Sequence, residues 1–439
     1  MAKLFGLRKE GLLSHEPLAL YDEIRNQTLK LVDILTPEDQ MIQSMPEASP
    51  SKWHIAHTTW FFEIFILARH MSDYSPFDAR LGSLFNSYYK RLGTHPHRSI
   101  RGTFSRPSLD EIRAYRAHVD NAIHTLFMRK ASVELLPLLE LGLNHEQQHQ
   151  ELIVTDIKHA FWISPMRPAY QPTPKPMRIV GAHGVPPAAW RPFDGGLHEM
   201  GHDMRGFAFD NEMPRHSVFV EPFGIASRLV TNAEYQAFIA DGGYESPEFW
   251  LSDGWDHVCE NGWRAPLYWE NAGNEWAQFT CHGMQPLDPD EPVCHVSFYE
   301  ADAFAKWAGA RLPTEFEWEL AAGSVMDSQK VQKAAGNMLE SETYHPRPAG
   351  PDSLGSLQQL FGDTWEWTSS SYSAYPGYRP PAGLEGEYNG KFMCNQMVLR
   401  GGSCATPASH IRKSYRNYFT PQARWQFSGI RLACDGAIS

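Results

Sequence analysis

The chain has 439 residues, of which 42% are hydrophobic and 21% are charged, a composition typical of a folded globular protein. This length exceeds what one hydrophobic core usually organises, so we expect two domains. The formal net charge of −12 argues against nucleic acid as the main partner. No apolar run approaches the roughly 20 residues that span a bilayer, which argues against a membrane protein.

The cysteines and the N-terminus indicate the compartment. All six cysteines lie in the C-terminal half, and none forms a CxxC pair, so a zinc site built from cysteines is not expected. The N-terminal sequence MAKLFGLRKEGLLSHEP lacks the apolar centre of a signal peptide. We therefore expect a cytoplasmic protein whose thiols are reduced.

Four long amphipathic helices are predicted in residues 1–163. They are expected at Pro17–Leu35, in KWHIAHTTWFFEIFILARHM, from Ser108 to Phe127 and at Ala131–Trp162. The second follows Ser49 and Pro50, which have the form of an N-cap and a proline at the first helical position. Four such helices predict an antiparallel bundle.

The amino-acid composition changes after the predicted bundle. Residues 164–178 are rich in proline and predict a semi-rigid linker. Beyond it, glycine, proline, tryptophan and short apolar runs alternate with turns, and only two helices are predicted, at Asn232–Ala240 and Tyr299–Ala308. Residues 179–439 are therefore predicted to form a loop-rich α+β domain, which makes the fold class α plus α+β.

A pair of histidines marks the last helix of the predicted bundle. In LNHEQQHQEL, His145 and His149 are four residues apart, so they lie about 40° apart on one face of a helix. Glu151 is about 200° further round and is not expected to join them, whereas Gln148 borders this face. Two imidazoles in this arrangement can bind one metal ion. The alternative is an accidental pair of surface histidines.

A third ligand is expected from the earlier helix, in WHIAH. Either His54 or His57 can point into the bundle, and helical spacing does not choose between them. Neutral imidazoles suit both Zn²⁺ and Fe²⁺, so the residues leave the metal open.

Both halves of the chain resemble one known family. SPSKWHIAHTTWFFE and NHEQQHQE resemble the DinB-type N-terminal domain of ergothioneine-pathway sulfoxide synthases (EgtB). PVCHVSFYEADAFAKWAGARLPTEFEWE, GDTWEWTSSSY and VLRGGSCAT resemble the C-type-lectin-like fold of the formylglycine-generating enzyme, a sulfatase-modifying factor, which accompanies it. In that family three histidines hold one non-haem Fe(II). The resemblance assigns this role to His57, His145 and His149, and so selects His57 over His54.

The resemblance also implies the reaction and its substrates. The family uses O₂ to join a cysteine-type thiol to the imidazole C2 of hercynine and oxidises the sulfur. Arg98 and Arg101 in HRSIRGTFSRP can bind a carboxylate in a bidentate fork, and the family's R-x-x-R-G pattern implies that they hold the sulfur donor. Surface ion pairing is the alternative. Gln148 and Asn417 are candidates for the hercynine carboxylate.

Aromatic residues are candidates for the remaining substrate groups. The faces of Tyr388, Tyr418 and Trp425 can receive the quaternary ammonium of hercynine. Members of the family that use γ-glutamylcysteine carry Asn-Trp-Asp where this chain has Asn417, Tyr418 and Phe419. Phe419 cannot bind an ammonium as aspartate would, so free cysteine is the favoured thiol over γ-glutamylcysteine.

A proton donor is also expected, because the reduction of oxygen consumes protons. The tandem pair Tyr88 and Tyr89 is the first candidate, and Tyr388 is the second. The alternative is that one tyrosine of the pair belongs to the core and the other to the surface.

Four other functions compete with this interpretation. Formylglycine synthesis needs two nearby cysteines, and after Cys404 the next cysteine is Cys434, so this activity is not expected. Ovothiol-type coupling of cysteine to histidine is expected with a C-terminal methyltransferase domain, which does not follow here. A DinB-type zinc thiol transferase or hydrolase differs in its metal. A lectin-like binding protein would bind glycans without a metal.

Overall fold

The computed structural model describes residues 16–87, 89, 93, 95–129, 133–172, 184–273, 275–325, 336–350, 356–382 and 389–436. They form two compact units. The first contains the chain up to Tyr170, with Met204–Phe209 and the segment that begins at Pro381, and the second contains the remainder. No helix among the described residues combines the length and the hydropathy needed to cross a bilayer.

The first unit is helical. Its helices are α1 (Glu16–Val32), α2 (Ser51–Phe62), α3 (Leu81–Leu84), α4 (Leu109–Arg129) and α5 (Leu136–Ile163). The helix α1 packs against α5, and α2 packs against both α4 and α5, which confirms the predicted bundle of four long helices. All residues of α2 are buried, so the prediction that this helix is amphipathic was wrong. A π-helical turn, Glu63–Leu67, and a last turn, Ala68–His70, continue α2.

Local signals account for the start of two of these helices. At the start of α4 the Glu111 amide donates to Ser108 Oγ over 3.2 Å, and the Ser108 amide donates to the Glu111 carboxylate over 2.6 Å. This reciprocal capping box satisfies two amides that the helix leaves open. Helix α5 begins at Leu136 with a proline in its first turn, and the predicted start at Ala131 lies outside the described residues.

The predicted N-cap of α2 was wrong by one residue. Pro50 is the N-cap, with an extended ψ of 143°, and the helix begins at Ser51. Ser49 lies before it, and its hydroxyl accepts a hydrogen bond from Arg101 Nη1 over 2.9 Å. Its amide donates to Asp156 over 2.8 Å. Ser49 therefore binds other parts of the bundle and does not cap the helix.

The described residues of the second unit form four small sheets. The strands are β1 (Trp190–Phe193), β2 (Gly196–Met200), β3 (His216–Val220), β4 (Phe223–Ala226), β5 (Trp269–Ala272), β6 (Glu275–Thr280), β7 (Gly283–Pro286), β8 (Trp365–Ser371), β9 (Met397–Arg400), β10 (Asn417–Phe419), β11 (Ser428–Gly429) and β12 (Ala433–Asp435). The sheet orders are β1-β4-β12, β10-β9-β8-β11, β2-β3 and β5-β6-β7. The pairs are antiparallel except β11 with β8. Together with its helices this unit is the predicted loop-rich α+β fold.

The prediction of only two helices in this half was wrong. The described residues form α6 (Asn232–Ala240), α7 (Ser252–Asn261), α8 (Phe298–Trp307) and α9 (Glu315–Val325). The helix α9 was missed because it buries acidic side chains. Glu315 accepts hydrogen bonds from Arg400 and Arg416, both over 2.8 Å, so the buried face carries charge and no apolar stripe is visible in the sequence.

The predicted domain limits, 1–163, 164–178 and 179–439, stay a prediction. The proline-rich segment lies partly outside the described residues, which stop at Pro172 and resume at Gly184.

Candidate metal centre

Three histidines converge inside the helical unit. His57 lies on α2, and His145 and His149 lie one turn apart on α5. One ring nitrogen of each lies within 4.8 Å of the other two, and the ring centres are 4.6 to 5.0 Å apart. All three side chains are buried. Among the described residues this is the one group of three or more histidine, cysteine or acidic side chains that can hold a metal ion.

The orientation of His57 is determined by its neighbours. Its Nδ1 donates a hydrogen bond to the carbonyl of Phe85 over 2.7 Å. The ring stacks on Trp53 and Trp60, with ring centres 4.5 Å and 5.4 Å away. Because the hydrogen bond to a carbonyl places the proton on Nδ1, the lone pair of His57 is on Nε2 and is available to a metal.

A glycine lets the two ligand helices approach closely. A Cβ atom on Gly142 would lie 2.6 Å from the ring of Phe62 and 2.9 Å from the ring of Phe61. The ring of Phe61 also contacts His145, with ring centres 5.0 Å apart. Glycine at this position therefore allows α5 to present His145 to the same point as His57.

Burial keeps the three imidazoles neutral. It lowers the pKa of His145 to about 3, and lowers the pKa values of His57 and His149 well below the usual range. The neighbouring imidazoles lower the pKa values of His57 and His149 further, because two positive charges at this distance repel. Neutral imidazole is the form that binds a metal, so the site is prepared for one.

We expect the metal-free protein to lose stability as the pH falls from about 6.5 towards 3. The unfolded chain binds protons at these histidines and the folded chain does not, so acid favours unfolding. Each such histidine contributes a slope of about 1.4 kcal/mol per pH unit to the free energy of unfolding. Urea titrations at several pH values measure this slope. The slope should become smaller in His145→Gln. It should stay unchanged in the control His70→Gln, because His70 is exposed. Equal slopes in the two variants would contradict the role of His145 in this loss of stability.

Glu146, inside HEQQH, is not part of the triad of His57, His145 and His149. Its carboxylate accepts hydrogen bonds from Arg25 over 2.8 Å, Arg116 over 2.6 Å and Thr28 over 2.7 Å. Burial alone would raise its pKa, but Arg116 and Arg25 outweigh burial and lower the pKa to about 2. In zinc peptidases with an H-E-x-x-H helix this glutamate is the general base. Here both of its oxygens are occupied, which argues against a hydrolase of that type.

The other histidine of WHIAH, His54, lies outside the triad and contacts His149. Nδ1 of His54 lies 2.7 Å from Nδ1 of His149, and Nε2 of His54 lies 3.1 Å from Oδ2 of Asp156. Asp156 was not among the site residues predicted from the sequence. A signal exists, because Asp156 follows His149 by seven residues and so lies about 20° from it around the helix. Glu151, at the position predicted to face elsewhere, is not in the triad.

The arginine pair lies on a 3₁₀ helix, Arg98–Thr103, in the same unit. Arg101 is buried, and its guanidinium carbon lies 3.4 Å from the centre of the Trp53 ring, whereas Arg98 is exposed. No acidic side chain of the described residues forms an ion pair with either arginine. Burial and the positive charge of Arg98 lower the pKa of Arg101 to about 8. A bound anion would neutralise this charge.

Two further predicted site residues, Gln148 and Tyr89, lie in the helical unit. Gln148 is half-buried on α5. Tyr89 is buried, and its ring contacts Trp60 and Phe65, with ring centres 5.7 Å and 5.1 Å away. Trp60 therefore contacts both Tyr89 and His57 of the triad. The other tyrosines proposed as proton donors, Tyr88 and Tyr388, lie outside the described residues.

Asn417, Tyr418 and Phe419 form strand β10 of the second unit. Tyr418 stacks on Tyr372 with ring centres 4.0 Å apart, and its hydroxyl donates to Asn389 over 3.1 Å. The side-chain oxygen of Asn417 accepts from the Tyr418 amide over 2.9 Å. The substrate roles assigned to these three residues stay predictions.

Comparisons with known proteins cover both units. A family model described as the DinB superfamily matches residues 20–153, and one described as the sulfatase-modifying factor enzyme 1-like domain matches residues 193–436. A hercynine oxygenase of Mycolicibacterium thermoresistibile is 32% identical over 94% of this chain and 93% of its own length. One of Mycolicibacterium smegmatis is 33% identical over 97% of this chain and 100% of its own length.

The chain belongs to the hercynine oxygenase family. It is therefore an oxidoreductase, and its buried triad is a three-histidine site that could hold a metal ion. A formylglycine-generating enzyme of Streptomyces coelicolor is 29% identical over 56% of this chain and 88% of its own length. Hercynine oxygenases match nearly the whole chain, so the family membership includes the helical unit with the triad.

Proposed function

We propose that this member of the hercynine oxygenase family is an O₂-dependent sulfoxide synthase of ergothioneine biosynthesis. It joins the imidazole C2 of hercynine to the sulfur of a cysteine-type thiol and oxidises that sulfur. The observation that supports this most strongly is the buried triad of neutral imidazoles, His57, His145 and His149, in a chain that matches hercynine oxygenases over nearly its whole length.

The donor set fits a ferrous ion. Three imidazoles suit Fe²⁺ and Zn²⁺ alike, and three protein ligands leave positions for substrates. Zn²⁺ has no redox chemistry, so oxygenase activity favours iron. Fe²⁺ held by the triad would supply binding positions for O₂ and sulfur and the electrons that start the reaction. The occupied carboxylate of Glu146 speaks against the alternative of a zinc hydrolase.

The thiol substrate is proposed to bind through its carboxylate to Arg101 and Arg98. A guanidinium that is buried without an acidic partner is a site for an anion, and its planar fork matches a carboxylate. Trp53 contacts both the Arg101 guanidinium and the ring of His57, so one indole separates the anion site from a metal ligand. A small amino acid bound there can direct its thiol towards the triad, which replaces a collision by a held geometry.

We expect Arg101→Met to raise the KM for the thiol substrate about 10- to 100-fold, the effect of losing hydrogen bonds to a charged group. The KM for hercynine should change much less. Steady-state kinetics with each substrate varied in turn measures the two values. Arg113→Met is the matched control, because Arg113 is exposed and pairs with Asp33. A parallel loss for both substrates would show that Arg101 supports the fold and does not select the thiol.

The roles of Gln148 and of Asn417 as candidates for the hercynine carboxylate, and of aromatic faces for its quaternary ammonium, are carried over from the sequence as separate proposals. Tyr388, Tyr418 and Trp425 are the residues proposed to provide them. Free cysteine is the proposed thiol, because Phe419, which contacts Trp425 edge-on, offers no charge to the ammonium of a γ-glutamyl group. Tyr89 remains the proposed proton donor among the described residues.

The test is reconstitution with Fe²⁺ under anaerobic conditions, followed by hercynine, O₂ and either cysteine or γ-glutamylcysteine. Oxygen uptake and mass spectrometry of the products are the readouts. A sulfoxide adduct with cysteine is expected. An adduct with γ-glutamylcysteine alone would keep the reaction and overturn the choice of thiol. Tight zinc binding without oxygen uptake would favour a zinc thiol transferase.

A further inference from the structure

A line of hydrogen bonds leads from a buried carboxylate to one ligand of the triad. Oδ2 of Asp156 accepts from the Ser49 amide over 2.8 Å and lies 3.1 Å from Nε2 of His54. Nδ1 of His54 lies 2.7 Å from Nδ1 of His149. These side chains are buried, with exposed fractions of 4% for Asp156, 1% for His54 and 8% for His149. Water therefore does not compete for these contacts.

The chemistry of the groups determines where the protons lie. A carboxylate only accepts, so the contact with Asp156 requires the proton of His54 on Nε2. In a neutral His54, Nδ1 is then unprotonated and can only accept a hydrogen bond. The 2.7 Å contact between the two Nδ1 atoms needs one proton, and His149 must supply it. His149 with a proton on Nδ1 has its lone pair on Nε2.

We propose that His54 and Asp156 are positioning residues that hold His149 in the Nδ1–H tautomer and so present its Nε2 lone pair to the triad. This inference rests on the proposed metal centre and goes beyond its three ligands. Phe85 has the corresponding effect on His57 through a backbone carbonyl. For His149, two side chains take the place of the carbonyl, and we call this pair, His54 and Asp156, the relay. The negative charge of Asp156 makes the His149 imidazole a stronger donor to a cation.

The first test measures the affinity of the metal-free protein for Co²⁺ by competition with a chelator. His54→Leu removes both hydrogen bonds of the relay and keeps an apolar side chain in the core. We expect its dissociation constant for Co²⁺ to rise about 10- to 100-fold, the usual effect of losing an outer partner of a ligand. His54→Gln should retain more affinity than His54→Leu, because its amide can accept from His149 and donate to Asp156.

The matched control is His159→Leu. His159 is a buried histidine on α5, the helix of His149, and Nδ1 of its ring lies 2.7 Å from the hydroxyl of Ser44. Its substitution should leave the Co²⁺ affinity unchanged. An equal loss in His54→Leu and His159→Leu, or better binding by His54→Leu than by His54→Gln, would overturn the relay, because packing alone would then explain the effect.

The second test needs no metal and no variant. Nitrogen-15 chemical shifts of labelled histidines in the metal-free protein report which ring nitrogen of His149 carries the proton. A proton on Nδ1 is expected, and a proton on Nε2 would overturn the proposal. If the protein bound no Co²⁺ while His149 kept its proton on Nδ1, the relay would stand and the metal centre of the proposed function would fail.

Discussion

Replacing His145 with leucine is expected to lower the rate of O₂-dependent coupling by at least about 1000-fold, or about 4 kcal/mol in the activation free energy. His145 supplies one of three buried nitrogens that lie within 4.8 Å of one another. Leucine fills a similar volume and cannot bind a metal. Iron content and oxygen uptake of the reconstituted variant are the measurements, and both should fall together.

Glu151→Gln is the control for this experiment. Glu151 lies on the same helix, two residues after His149 and about 200° around its axis, and is half-buried outside the triad. Its substitution should leave the iron content close to that of the wild type. If Glu151→Gln lost iron as His145→Leu did, the ligand set would include this carboxylate and the three-histidine assignment would be wrong.

The second large effect is expected at Glu146, next to His145 of the triad. Glu146→Gln should lower the free energy of unfolding of the helical unit by about 3–5 kcal/mol, the usual effect of breaking a buried ion pair. The carboxylate binds Arg25 and Arg116, and all three side chains are at most 2% exposed. Without it two guanidinium groups remain buried with less negative charge to compensate them.

Thermal unfolding followed by circular dichroism measures this loss, which corresponds to a midpoint lower by about 10 °C. Glu151→Gln again serves as the control on the same helix. The folded fraction of Glu146→Gln should still bind a divalent ion, because the three ligands are unchanged. Loss of metal binding at an unchanged midpoint would move Glu146 from the ion-pair network to the metal centre.

Helical geometry made part of this site visible in the amino-acid sequence. The spacing of His145 and His149 places them on one face because a helix turns by a constant angle per residue. The same rule excluded Glu151, and it would have found Asp156 two turns beyond His149. This rule could not select the third histidine of the triad, because His54 and His57 both lie on α2, a helix that is buried on every side.

Other features could not be predicted from the pattern of apolar residues, because they depend on buried polar or charged side chains. The helix α9 was missed because Glu315 lies in the core and pairs with Arg400 and Arg416, which are distant in the chain. Ser49 was assigned to the helix end because a serine before proline usually caps a helix, and its actual partner, Arg101, follows 52 residues later. In both cases the partner of a polar group decides its role, and the partner is remote in sequence.

The order of amino acids was sufficient to predict the helical bundle, the histidine pair on one face of a helix and, through resemblance, the family. These features rest on backbone geometry and on residues close in the chain. The folded chain was needed to show that His57 completes the triad while His54 joins Asp156 to His149. Both histidines lie on α2, a helix that is buried on every side, so helical spacing does not separate them. Their roles differ because His57 contacts the carbonyl of Phe85 and His54 contacts the carboxylate of Asp156, and folding alone brings these groups into hydrogen-bonding distance.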